Sequence, residues 1–310
     1  VNFARRLSCL LAIPLLLTGC SLAKDGILFP AGRVAAIQHD HLVRTTLLVM
    51  IVIVPVFVML PVVLWRYRLT RRDSTYRPDW DFAWPLEVFI WGVPFVIVGL
   101  LSFSLWHTTH RLDPYERLDP AGRDPLRIEV VGLDWKFLFI YPDENIASVN
   151  ELVLPEGREV AFTLTADGPM MSFVVPRLGS QIYAMAGMET QLHLLTDELG
   201  DFRGMNTQFN GRHFHEQKFV VRVRDDEGYR DWIAANRAGA PMTLAAYARL
   251  ARPSTVARPL HFGAVAPNLF DRIVAKYRPA KNTAPMLHGD APHPPELRPA
   301  AHDIPAGAMP

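Results

Sequence analysis

The chain holds 310 residues, half of them hydrophobic, with a formal net charge of +1. Charge this close to neutral argues against a nucleic-acid partner, because phosphate binding needs a clustered basic surface. The two cysteines, Cys9 and Cys20, both lie near the start, so whatever folds after residue 20 has neither a disulfide nor a thiolate metal ligand of its own.

Arg5 and Arg6 give a basic beginning, and Leu7 to Leu17 form an apolar run about as long as a signal h-region. Leu17-Thr18-Gly19-Cys20 follows. Leu17 suits an ordinary cleavage site badly, but the tetrapeptide resembles the lipobox of bacterial lipoproteins, whose cysteine is lipidated and becomes the mature N-terminus. The expectation is a signal peptide over 1–19, a lipid such as palmitate on Cys20, and a segment 20–44 at the outer face of the inner membrane. A plain signal peptide with an incidental cysteine is the alternative.

Two uncharged apolar runs come next, 45–65 and 88–106. Each is close to the roughly 20 residues that cross a hydrocarbon core. Pro55 and Pro61 in the first are tolerated in membrane helices. Trp65, Trp84, Trp91 and Trp106 fall at or near the ends, where amphipathic aromatics favour the interface. The connecting loop, 66–87, carries Arg66, Arg68, Arg71, Arg72 and Arg77, which predicts a cytoplasmic loop and a periplasmic chain on either side. Glu87 stands one residue before the second span. It reads either as an acid favoured by a helix N-terminus or as a proton-collecting group at the mouth of a membrane path.

From Arg127 the period changes to two. "RIEVVGLDWKFLFIYP" reads as one long strand, or a strand with a bulge, and "NELVLPEGREVAFTLTAD" as a hairpin-like pair around Pro155-Glu156-Gly157. "MSFVVPRL", "TQLHLLTD" and "KFVVRVRDD" add short strands. Such spacing predicts a β-sandwich or small barrel over 127–226. "GYRDWIAANRAG", "TLAAYARLARP" and "NLFDRIVAKY" are short helix candidates within 227–277. The tail, 278–310, is rich in Pro, Ala and His and is expected to be disordered, with His288, His293 and His302 solvated.

These pieces, together with "DWKFLFIYP" and "FVVPRLGSQIYAMAGMETQLHL", resemble subunit II of the haem-copper terminal oxidases, in the cytochrome bo-type ubiquinol oxidase branch. The resemblance covers the chain to about Tyr277. It implies a membrane-anchored α + β architecture: a two-helix transmembrane hairpin, a periplasmic cupredoxin-like β-sandwich, then short C-terminal helices.

In the cytochrome c branch of that family the sandwich holds a dinuclear copper centre. Its ligands come from a His-Ser-Phe strand and a loop patterned Cys-x-Glu-x-Cys-Gly-x-x-His-x-x-Met. Here the strand histidine position is Met171, followed by Ser172 and Phe173. The loop is "GMNTQFNGRHFHEQKF", with Asn206 and Asn210 at the cysteine positions, Gln208 at the glutamate, Phe214 at the histidine and Gln217 at the methionine, while Gly211 is kept. The resemblance therefore implies a loop retained without its metal. Asn206 and Asn210 are expected to hold the loop by hydrogen bonds. His213 and His215 flank the ligand position without occupying it, and two histidines fall short of the three or four ligands a closed site wants. Trp135, in the family's aromatic stretch, is expected to serve packing.

The resemblance further implies that this chain binds no cofactor or metal. Haem b, haem o (or a) and one copper belong to subunit I, and ubiquinol is the substrate of the complex. Implied partners are oxidase subunits I, III and IV, membrane lipids, and ubiquinol through subunit I. Glu87 matches the family's glutamate at the entrance of the K-type proton path. Competing readings are a copper-bearing subunit II of a cytochrome c oxidase, against which the missing thiolates speak, and a stand-alone lipoprotein binding module.

Overall fold

The computed structural model describes residues 26–68, 81–119 and 122–278. Cys9 and Cys20, the arginines at 71, 72 and 77, and the tail histidines lie outside them.

Two long helices come first, α1 (Arg33–Arg66) and α2 (Trp84–Arg111). Both are long and apolar enough to cross a membrane, and almost none of their apolar surface is covered: Phe57 is 74% exposed and Phe103 is 75% exposed. Surface of this kind is costly in water and suits lipid or a partner. Where the helices meet, His41 Nδ1 on α1 lies 3.4 Å from Ser104 Oγ and 3.3 Å from Thr108 Oγ1 on α2.

The rest is a two-sheet sandwich. Its strands are β1 (Leu126–Leu133), β2 (Lys136–Tyr141), β3 (Ile146–Val149), β4 (Glu151–Pro155), β5 (Val160–Ala166), β6 (Met171–Val175), β7 (Gly179–Ala184), β8 (Thr190–Leu194), β9 (Gly200–Met205) and β10 (Lys218–Arg224). Then come α3 (Asp226–Arg237), β11 (Pro241–Met242), α4 (Leu244–Leu250), β12 (Leu260–Phe262), β13 (Ala264–Val265) and α5 (Leu269–Tyr277). One sheet runs β12-β3-β2-β1-β5-β8 and the other β4-β10-β9-β6-β7, with β11 and β13 paired apart.

Two expectations need correction. "RIEVVGLDWKFLFIYP" is a tight hairpin and not one strand: β1 and β2 pair antiparallel, Leu133 opposite Lys136. The turn falls at Asp134-Trp135, and Trp135 takes a left-handed φ of 63° that no extended strand contains. The segment around Pro155-Glu156-Gly157 is not a hairpin either. β4 pairs parallel with β10, and β5 pairs parallel with β1, so the turn carries the chain from one sheet to the other. Its amides are taken from both sides, Glu156 N–H by Arg224 O and Gly157 N–H by Thr196 O.

Between the sheets sits an aromatic core of Phe137, Phe139, Phe162, Phe173 and Phe219. Phe173 and Phe219 stack at 5.2 Å, and Phe137 meets Phe219 edge-on at 5.2 Å, geometries that add to simple burial. A second core lies outside the first sheet. Val131, Leu133, Leu138, Ile140 and Val149 pack under Tyr247 of α4 and Leu269, Phe270, Ile273 and Val274 of α5. Covered on both faces, β2 is buried at every residue, which is why "KFLFIY" shows no alternation.

The helix pair is fastened to this sandwich at both ends of its hairpin. Before α1, Ala31 N–H donates to Arg177 O, Arg33 N–H to Leu195 O and Ala35 N–H to Leu178 O. Gly179, at φ 111°, lies so close that a Cβ there would stand 2.7 Å from Ala35 N. After α2, Leu118 and Asp119 N–H donate to the buried carboxylate of Glu159, which also meets His193 Nδ1 at 2.7 Å. The string "PRLGSQ" is therefore a helix-docking surface.

Candidate functional site

The loop between β9 and β10 folds back over the start of β6, and its centre is the side chain of Gln217. This residue is fully buried. Its Oε1 accepts from Asn206 Nδ2 at 2.9 Å and from Asn210 Nδ2 at 2.7 Å. Its Nε2 donates to Met171 Sδ at 3.2 Å, to Leu133 O at 3.2 Å and to Lys136 O at 3.4 Å. Both amides act through Gln217, so no Asn206–Asn210 bond is needed to close the loop.

Asn206 is the second hub. Its Oδ1 accepts from the N–H groups of Ser172 and Gln208, each at 2.9 Å, and from Ser172 Oγ at 3.2 Å. Its Nδ2 also reaches Gln208 O at 2.8 Å. Ser172 Oγ lies 2.7 Å from Thr207 Oγ1, which donates to Gln181 Oε1 at 2.9 Å. β6, β7 and the loop are thus tied by neutral groups alone. Asn210 Oδ1 is buried and has no partner among the described residues. Met171 fits because Gly132 faces it: a Cβ on Gly132 would stand 2.3 Å from Met171 Sδ.

Of the six positions singled out in the sequence, the structure brings four together: Met171, Asn206, Asn210 and Gln217. Gln208 takes part through its backbone only. Phe214 is half-buried in a short 3₁₀ turn, Phe214–Glu216, and its ring lies 5.7 Å from that of the exposed Phe209. His213 Nδ1 meets Glu216 Oε1 at 2.9 Å, and this bond holds the Glu216 carboxyl below its usual range. His213 also meets Trp135 edge-on at 4.7 Å, and the Trp135 indole N–H donates to Asn210 O at 3.3 Å. His215 is exposed.

Sequence reasoning missed the charged groups that flank this cluster. Lys136 looks like a stray charge in an apolar strand, yet it is fully buried. Its ammonium donates to Asp134 O at 3.2 Å and to Arg252 O, Ser254 O and Ser254 Oγ at 2.9 Å each. Burial lowers its pKa, with the Asp134 charge opposing. Asp167, just ahead of Met171, accepts from Tyr247 OH, Lys276 Nζ and Tyr277 OH. Burial pushes this carboxyl up, but the bonds from Lys276, Tyr247 and Tyr277 prevail and hold it below its usual range. The tyrosines and lysine sit 80 or more residues downstream, so no local pattern announces them.

Glu87 lies in the first turn of α2, half-buried, and accepts from the Trp91 indole N–H at 3.2 Å. Its position is compatible with both readings of that acid. It is far in the chain from the amide cluster and shares no contact with it among the described residues.

Comparison with known proteins adds four findings. The family described as the COX Aromatic Rich Motif matches residues 237–280, the segment that carries Tyr247, Lys276 and Tyr277. The cytochrome bo(3) ubiquinol oxidase subunit 2 of Pseudomonas aeruginosa is 39% identical over 298 residues, covering 95% of this chain and 88% of that protein. The ubiquinol oxidase subunit 2 of Acetobacter aceti is 40% identical over 270 residues, 86% of each. The solved periplasmic domain of subunit II of cytochrome oxidase from Bradyrhizobium japonicum aligns with 37% of this chain and 94% of its own, at 22% identity and a TM-score of 0.35, a likeness that carries no weight of its own.

Proposed function

The chain belongs to the subunit 2 family of cytochrome bo(3)-type ubiquinol oxidases, and from that premise we propose that it serves the complex as a scaffold and proton-path subunit with no redox centre of its own. The reaction of the complex passes electrons from ubiquinol to oxygen and yields ubiquinone and water. Haem b, haem o (or a) and one copper are carried by subunit I. Subunits I, III and IV are the partners, with the two apolar helices packed on subunit I and the sandwich over its periplasmic face.

One observation carries this reading. Gln217 joins Met171, Asn206 and Asn210 into a cluster that uses its own polar atoms. That donor set does not fit a dinuclear copper centre. Copper pairs want bridging thiolates and imidazoles, soft and charged or strongly basic donors, and here stand two asparagine amides, a glutamine amide and a thioether already hydrogen-bonded to it. An amide cluster keeps the loop's shape with no charge to neutralise and no electron to pass. Electrons then enter the complex from ubiquinol within the membrane.

Glu87 is assigned to the entrance of a proton path. Its half-buried place at the start of a spanning helix, with Trp91 as its hydrogen-bond partner, supports that role. Glu87→Gln should slow haem reduction and turnover while leaving assembly intact; turnover unchanged across pH would return it to a dipole-favoured acid. Lipidation at Cys20 and a periplasmic sandwich complete the reading, with the arginine-rich loop in the cytoplasm.

The test is oxygen consumption by the purified complex, with ubiquinol and with reduced cytochrome c as alternative donors. Turnover with quinol alone is expected. Turnover with cytochrome c would mean that an electron-accepting centre exists where the amides stand or in another subunit, and the reading would fail.

A further inference from the structure

Glu129 is a carboxylate with nowhere good to go. It points from β1 to the face that the C-terminal segment covers, level with Ile140 on β2 and Thr163 on β5. A cavity of about 220 Å³ opens there, lined by Glu129, Asn145, Pro267, Asn268 and Asp271 among others. Across it stands the first turn of α5. That helix is entered through Asn268 in a left-handed conformation, φ 53°, with no side-chain cap. Its first-turn acid is Asp271.

The surrounding charges relieve the pair only in part. Arg127, on the same strand, is ion-paired with Asp143. Glu189, ahead of β8, adds another negative charge and is itself bound by Arg278 at 2.7 Å. β2 and β5 offer only Ile140 and Thr163. Neither Glu129 nor Asp271 accepts a hydrogen bond among the described residues. Two acids therefore face one cavity at the joint between the sandwich and the helix, and the nearby cations Arg127 and Arg278 make their ion pairs with other acids.

We propose that Glu129 and Asp271 make the seat of α5 proton-sensitive: the helix is held firmly while Glu129 is protonated and loosens when both carboxylates are charged. Burial pushes the Glu129 carboxyl up to about 7, and the Asp271 charge adds to it while Arg127 opposes. A carboxyl raised in the folded state stabilises that state below its ordinary range, and the contribution is lost as pH rises through the folded value. The contribution is thus lost between about pH 4.5 and 7, and the interval from about pH 6 to 8 spans the last part of that loss. The switched segment lies within the matched aromatic-rich stretch, 237–280, which gives that stretch a pH-dependent grip on the sandwich.

Amide hydrogen exchange of residues 269–277, measured by mass spectrometry on the full chain in the assembled complex and corrected for intrinsic rates, tests this. Protection should fall by up to about tenfold from pH 6 to pH 8, the change expected for a carboxyl moved from its ordinary range to about 7. Glu129→Gln should abolish the fall and keep protection high at pH 8. Asp271→Asn, which leaves Glu129 in place, should flatten it in part. Wild-type protection that does not change with pH, or an unchanged fall in either variant, would overturn the proposal.

Discussion

At one end of the sandwich, Asn206, Asn210 and Gln217 close a loop with neutral amides; just ahead of Met171 in the chain, Asp167 grips the C-terminal segment with a charge. Both clusters are buried, and both tie distant segments to the same strands. They differ in what they cost and when they fail. The amide cluster desolvates no ion and titrates nowhere, so its strength should be constant in pH. The Asp167 cluster buries a carboxylate whose side chain is 2% exposed and is held by three donors, so it is strong only while that carboxyl is ionised. The loop is kept by neutral hydrogen bonds, whereas the C-terminal segment is held by a charged group.

The sharpest way to break the comparison is to remove the neutral hub. Gln217→Ala deletes the acceptor of both asparagines and leaves a void against Met171, and it should cost about 3 kcal/mol, combining a cavity with unpaired buried polar groups. Urea unfolding of the full chain in detergent, followed by tryptophan fluorescence, would read it. Gln217→Glu sharpens the same point. A carboxylate there would face Leu133 O and Lys136 O, so its pKa should rise on folding. The variant should lose stability as pH increases, where the wild-type cluster shows no slope.

Next in size is the charged hub. Asp167→Asn keeps the shape and removes the charge that Lys276 and both tyrosines address, for a loss of about 1–3 kcal/mol. Its pH signature is opposite in sign to that of Glu129. Asp167 and Glu159 are both held below their usual range, so each stabilises the fold above about pH 4 and loses that contribution as pH falls through its folded value. Acid unfolding of Asp167→Asn should therefore be shallower than that of the wild type. An identical acid limb in the two proteins would mean that Asp167 carries no linked stability.

The parts of this architecture with a local signal were legible in the sequence. The two helices declare themselves by uninterrupted apolar runs, and β6, β8 and β10 by alternation. The loop residues Asn206, Asn210 and Gln217 stood out only through the family resemblance that puts them at ligand positions, and the structure does bring them to Met171. What the sequence hid was non-local. β1 and β2 looked continuous because the second core, 100 residues later, buries their outer face and erases alternation. β4 and β5 looked like a hairpin because a Pro-Glu-Gly turn says nothing about which sheet each arm joins. No local pattern marks Lys136, Glu159 and Asp167 as buried, since their partners, carbonyls from 252–254, backbone amides at 118–119 and side chains at 247–277, are set by topology.

The smallest effect concerns how the amide cluster is held from outside. Trp135 closes the β1–β2 hairpin at φ 63° and sends its indole N–H to Asn210 O, so it contributes a favourable bond from an unfavourable backbone. Asparagine accepts left-handed geometry far better than a β-branched residue does, and a left-handed residue with a Cβ costs about 1–2 kcal/mol. Trp135→Asn and Trp135→Val both lose the indole, so their difference isolates the backbone. The valine variant should be the less stable by about 1 kcal/mol in the same urea experiment. Equal stabilities would mean that the turn relaxes when the ring is gone, and that the indole bond to Asn210, more than the hairpin's own geometry, sets the conformation at this edge of the neutral cluster.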